Sequence, residues 1–100
     1  MALLEISIVP VGTANTSVSD YIAGALKILK DKGINYELNS MGTTIEGELG
    51  SILDVAGQMH ESCFKQGAKR VVTTIKIDDR KDKPLSIEGK KASVNKKLKI

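Results

Sequence analysis

Two stretches with helical apolar spacing, each set between stretches that alternate apolar and polar residues, restrict this chain to few folds. Leu4, Ile6 and Ile8 alternate with Glu5 and Ser7, the period-two pattern of a strand with one apolar and one polar face, and Pro10 and Gly12 end it. Ser17 and Asp20 have the spacing of a capping box. Val18, Ile22, Ala25 and Leu29 then recur at helical intervals up to Gly33. Tyr36 and Leu38 alternate with Glu37 and Asn39, Met41 and Gly42 interrupt, and Thr44 to Gly47 resume the extended pattern, which predicts two strands joined by a tight turn. Ser51 and Asp54 repeat the capping spacing ahead of a second stripe, Ile52, Val55, Ala56, Met59 and Cys63, that ends near Gly67. Val71, Thr73, Ile75 and Ile77 alternate with Val72, Thr74 and Lys76 as a fourth strand, and Asp78 to Pro84 form a charged turn.

The order β-α-β-β-α-β is that of the split βαβ, ferredoxin-like arrangement: an α+β fold in which four antiparallel strands carry both helices on one face. Ile87, Val94 and Leu98 add a short C-terminal helix with one apolar stripe, expected to pack on the sheet or on a partner. Residues 1–100 are read as a single domain without a linker. By alternation, the sheet face away from the helices collects Glu5, Ser7, Glu37, Asn39, Thr44, Glu46, Thr74 and Lys76. Such a face is open to solvent, a partner or a ligand. A 100-residue domain with exposed sheet edges gains from association, so a dimer or tetramer is expected.

The composition narrows the function. Tyr21, Tyr36 and Phe64 are the only aromatic residues, too few for the stacking platforms of single-strand nucleic-acid binders. The net charge of +3 arises in the last fifth of the chain, where Lys81, Lys83, Lys90, Lys91, Lys96, Lys97 and Lys99 lie among acidic neighbours. That distribution reads as a solvated surface rather than a phosphate-binding patch. A lone Cys63, with neither a leader-like start nor a long apolar run, predicts a cytoplasmic protein without a membrane span.

Few residues offer chemistry. His60 and Cys63 stand at i, i+3 on the second helix, but one His and one Cys cannot close a zinc site, and Cys63 continues the apolar stripe through Met59 as a buried thiol. No nucleophile, base and orienting group can be assembled, so an enzyme is not expected. Gly12 and Thr13 precede the first helix without the glycine run or lysine of a phosphate loop. What remains there is a hydroxyl-rich helix start, Thr13, Asn15, Thr16, Ser17 and Ser19, able either to cap the helix or to hold an accepting group.

Three blocks resemble the small thiamine-binding protein family, long catalogued as uncharacterised: Thr16-Ser17-Val18-Ser19, Ser40-Met41-Gly42-Thr43-Thr44-Ile45-Glu46-Gly47, and Ile87-Glu88-Gly89-Lys90 with Ser93-Val94. The Met-Gly-Thr-x-Ile-Glu-Gly run is the most specific of them. The family usually carries Pro before Met-Gly-Thr, where this chain has Ser40. The resemblance implies a ferredoxin-like fold, homodimeric or homotetrameric assembly through the sheets, and binding of thiamine or its hydroxymethylpyrimidine part as ligand. No cofactor, nucleic-acid partner or membrane partner is expected.

Thiamine presents a cationic thiazolium and an aminopyrimidine that suits a carboxylate and backbone carbonyls. The resemblance thus points to Glu46 as the carboxylate, Thr43 and Thr44 as hydroxyl donors, Gly42 for close backbone approach, Met41 against the ring, and Ser17 and Ser19 from the helix start. Without it, Glu46 is a strand residue in an ion pair with Lys76. Two other readings follow: an interaction module that takes no small ligand, and an enzyme with Glu46 as general base.

Overall fold

The structure, a computed structural model, describes residues 1–99. β1 (Ala2–Pro10), α1 (Ser19–Lys32), β2 (Asn35–Asn39), β3 (Gly42–Gly47), α2 (Leu49–Lys65), β4 (Val71–Asp78) and α3 (Ile87–Leu98) follow in order. The strands make one antiparallel sheet in the order β2-β3-β1-β4. This is the ferredoxin-like architecture that the alternation and stripe pattern implies.

Leu4, Ile6 and Ile8 from β1 and Ile45 from β3 meet Ala25 and Leu29 of α1 and Ile52, Val55, Ala56, Met59 and Cys63 of α2 in one buried cluster. Aliphatic residues dominate this core because the chain has few rings to place there. Gly33 closes α1 in the left-handed region (φ 67°) and donates its N–H to the Leu29 and Lys30 carbonyls, and Gly67 (φ 103°) follows α2. Both stops fall where the sequence places them.

The helix starts differ. The N-cap of α1 is Val18, with no side-chain cap, and Ser17 instead lies one residue outside with its hydroxyl 3.3 Å from that of Ser19. The loop before it explains this: Asn15 Oδ1 accepts from Ser17 N at 2.9 Å, which draws the backbone into a turn before the helix begins. Ser51 likewise does not open α2. Glu48 does, its carboxylate accepting from the backbone N–H groups of Gly50 and Ser51 at 2.9 and 3.0 Å.

The sheet face opposite α1 and α2 is not wholly bare. Leu3 packs with Leu85 and Ile87 in a second buried cluster that seats the first turn of α3. Ser86 caps that helix by accepting from Gly89 N. Lys91 reaches Glu37 at 3.2 Å and Lys90 reaches Asp78 at 2.5 Å. Among the described residues the remainder of α3 is exposed: residues 91–99 all are, Val94 and Leu98 included.

Candidate functional site

The first helix and the β2-β3 hairpin converge on the helix side of β1. Asn39 pairs with Gly42, so Ser40 and Met41 alone make the turn, and neither has a positive φ. Gly42 lies so close to β1 that an added Cβ would stand 3.2 Å from the Ile6 carbonyl oxygen. A side chain there would make β1 or the hairpin give by a few tenths of an ångström.

Between these elements lies a cleft of about 210 Å³. Ile6 and Ile8 form its floor, Ile22 and Leu26 of α1 one wall, Met59 its back, and Val18, Leu38, Ser40, Met41, Gly42 and Thr43 its rim and remaining wall. Thr43 is buried within it, whereas Leu38 and Met41 stand largely in solvent at the mouth. The lining, which also includes Ser7 and Val9, is mostly hydrocarbon with Ser7, Ser40 and Thr43 as its hydroxyl-bearing residues, a combination suited to a flat, partly polar ring. Its volume is below the roughly 300–1,000 Å³ of pockets for drug-sized ligands, which suits one ring rather than two.

The residues singled out from the sequence therefore divide. Met41, Gly42 and Thr43 line the cleft. Ser17 and Ser19 flank Val18, which lines it, but are themselves exposed outside the lining. Thr44 and Glu46 alternate with buried Thr43 and Ile45 and so project onto the opposite sheet face. There Glu46 Oε1 accepts from the Ile87 backbone N–H at 2.8 Å and Oε2 from the Asn35 amide at 3.0 Å. Lys76 pairs with Glu5 at 3.6 Å rather than with Glu46.

Ser40, Ile22 and Leu26 also line the cleft, although the sequence assigns them no ligand contact: Ser40 stands out there only as a departure from the family's Pro. The helical stripe carries Ile22, but nothing in its spacing separates a residue that fills the core from one that borders a void. His60 ties α2 to β4: its Nδ1 lies 2.6 Å from Thr73 Oγ1, and its ring meets Phe64 edge-on within α2. Cys63 is buried as expected, and burial pushes its thiol pKa up, so it stays neutral and inert. Among the described residues no cluster of His, Cys, Asp and Glu could hold a metal ion, and no helix is long and apolar enough to cross a membrane.

Fold and cleft together define a ferredoxin-like α+β domain with a small, mainly apolar recess. The chain belongs to the thiamine-binding protein family, which matches residues 4–95. It is 45% identical over 102 residues to the UPF0045 protein YqgV of Bacillus subtilis, covering 98% of each chain. It is 38% identical over 99 residues to a UPF0045 protein of Methanothermobacter thermautotrophicus, covering 98% of this chain and all of that one. Among solved structures, a hypothetical protein of Methanocaldococcus jannaschii superposes with a TM-score of 0.86 at 37% identity, over 94% of this chain and 95% of that one. A Thermotoga maritima protein named as a candidate for thiamine biosynthesis or salvage superposes at 0.76 and 28% identity, over 93% and 97%.

Proposed function

We propose that this chain binds thiamine through its aminopyrimidine half, in the cleft between α1 and the β2-β3 hairpin, as a non-catalytic homo-oligomer acting in the cytoplasm. The observation that carries the reading is the cleft itself, a one-ring recess walled by Ile6, Ile8, Ile22 and Leu26 and edged by Ser40 and Thr43, in a member of a family described as thiamine-binding. The name of the Thermotoga maritima neighbour points to the same vitamin.

Desolvation orients the ligand. A neutral aminopyrimidine enters a hydrocarbon recess at modest cost if its amine and ring nitrogens find hydroxyls or backbone groups, whereas a buried, unpaired thiazolium would cost far more. The cation therefore stays at the solvent-exposed mouth, beside Met41 and Leu38. Ser40 and Thr43 take the hydrogen bonds, Gly42 admits the ring edge, and Ser17 and Ser19 lie within the helix start that borders the opening. Glu46 acts at a distance from the ligand, holding the first turn of α3. The cleft lining supplies hydroxyls and thioethers but no general base, which supports binding without turnover. The unpaired, buried Cys63 is compatible with a reducing compartment.

Variants separate this placement from one centred on Glu46. Thr43→Val removes one hydroxyl at nearly constant shape and is expected to weaken binding roughly 2- to 10-fold, the loss of one net hydrogen bond. Val18→Phe fills the rim and is expected to abolish binding, while Glu46→Gln leaves affinity unchanged. Equal affinity in Thr43→Val and Val18→Phe, with loss in Glu46→Gln, would move the ligand to the other sheet face.

A further inference from the structure

The cleft has a neighbour on the other side of Leu26. A second recess of about 440 Å³ lies there, lined by Ala23, Leu26, Lys27, Lys30, Asp31 and Tyr36, and Leu26 is the wall that the two hollows share. Their remaining walls run on in step, because Gly33 and Ile34 alone link α1 to β2 and turn the chain straight back along the helix. Val18, Ile22, Leu26 and Lys30 recur every four residues along α1, and Leu38 and Tyr36 stand two apart on β2, on one side of the sheet. The helix advances about 12 Å from Ile22 to Lys30, while the strand covers about 7 Å between Leu38 and Tyr36. Cleft and recess are thus two stations of one groove, apolar at the first and charged at the second.

The charge at the second station is not balanced. Lys27 Nζ lies 3.1 Å from Asp31 Oδ2, whereas Lys30 makes no ion pair among the described residues. Two lysines and one aspartate leave the recess with one uncompensated positive charge. The carbonyls of Leu29 and Lys30, which would turn the negative end of the helix toward an anion, already accept from the Ile34 and Gly33 N–H groups.

Resting on the placement of the pyrimidine in the cleft, we propose that this recess holds the phosphate of a phosphorylated thiamine. With the pyrimidine in the cleft and the thiazolium at its mouth beside Leu38, the hydroxyethyl arm of the vitamin is the part left to extend along β2. Tyr36 is the next residue on that side, partly buried against the core, and its ring offers a face to the thiazolium as the arm passes. A phosphate ester at the end of the arm then meets the Lys30 ammonium, and Lys27 beside it adds a second donor. Lysine suits this task, since a point charge on a flexible stem follows a terminal phosphate without a fixed geometry. The unphosphorylated vitamin leaves Lys30 without a contact.

Calorimetric titration with thiamine, thiamine monophosphate and inorganic phosphate, on the wild type, Lys30→Gln and Lys32→Gln, tests the subsite. Glutamine keeps the helix propensity and removes the charge. In the wild type the monophosphate is expected to bind roughly 3- to 10-fold more tightly than thiamine, with the gap narrowing as salt is added. Lys30→Gln is expected to close the gap at unchanged thiamine affinity. Lys32→Gln, two residues on and outside the recess, is expected to leave the gap intact. Thiamine binding without a gain from the phosphate, a gain that survives Lys30→Gln, or one lost equally in Lys32→Gln would overturn the subsite alone. Inorganic phosphate bound as tightly as the monophosphate would overturn it too, as a free-anion site unconnected with the vitamin. A wild type that takes neither thiamine nor its monophosphate would overturn the cleft reading and the subsite together.

Discussion

Glu48 shows how much a single residue directs. Its carboxylate accepts from two orphan N–H groups at the start of α2 and from the Ser51 hydroxyl, and those hydrogen bonds, the Gly50 N–H first, hold its pKa below the ordinary carboxylate range. A depressed folded-state pKa adds stability above the unfolded value, about 4.3, and loses it as pH falls through the lower folded value. Glu48→Ala is therefore expected to lower the melting temperature at pH 7, with the gap to wild type closing as the pH is taken below 4 in a series of thermal melts. Its neighbour Gly47 is constrained by space instead. A Cβ there would stand 2.7 Å from Ile52 Cγ2, so Gly47→Ala must displace a core side chain and is expected to cost about 1–3 kcal/mol in urea unfolding at unchanged m-value. Neither role is legible in the sequence: Glu is an uncommon N-cap, Ser51 offered a more familiar one, and the Gly47 contact exists only once α2 folds back on β3.

Among the elements, the strands and the two long helices could be read directly because each carries one dominant period, two for Leu4-Ile6-Ile8 and 3.6 for Ile52-Val55-Ala56-Met59-Cys63. The helix stops could be read too, since Gly33 and Gly67 sit where a left-handed backbone is needed. α3 was harder. Its apolar residues have helical spacing, yet only Ile87 is buried and the rest of the helix is lysine-rich and exposed. A short isolated helix is marginal in water, so α3 depends on its seating. That seating is the Leu3-Leu85-Ile87 cluster, the Ser86 cap and the bond from the Ile87 N–H to Glu46. Glu46→Ala is expected to speed hydrogen-deuterium exchange across residues 87–98 while the amides of β1 and α2 keep their protection. The same variant with unchanged exchange in α3 would show that the helix is held by other contacts.

For the molecule as a whole, the split βαβ order folds one sequence motif onto both sides of a sheet. Met-Gly-Thr-x-Ile-Glu-Gly reads as one block along the chain, but a strand alternates, so Thr43 enters the cleft side while Thr44 and Glu46 face away. The motif contributes Met41, Gly42 and Thr43 of the hairpin to the cleft. It could not say which of its side chains share a cavity, because that depends on how α1 crosses β1 and on the approach of Gly42 to Ile6. On the proposed reading the cleft, about 210 Å³, has room for one ring, and its apolar walls favour the neutral half of a two-ring, half-charged vitamin. Calorimetric titration of the wild-type chain with thiamine, with hydroxymethylpyrimidine and with the thiazolium half alone tests this most directly. Saturable binding of thiamine and of the pyrimidine, with no measurable heat from the thiazolium, is the expected result. Binding of the thiazolium alone, or of none of the three, would contradict it.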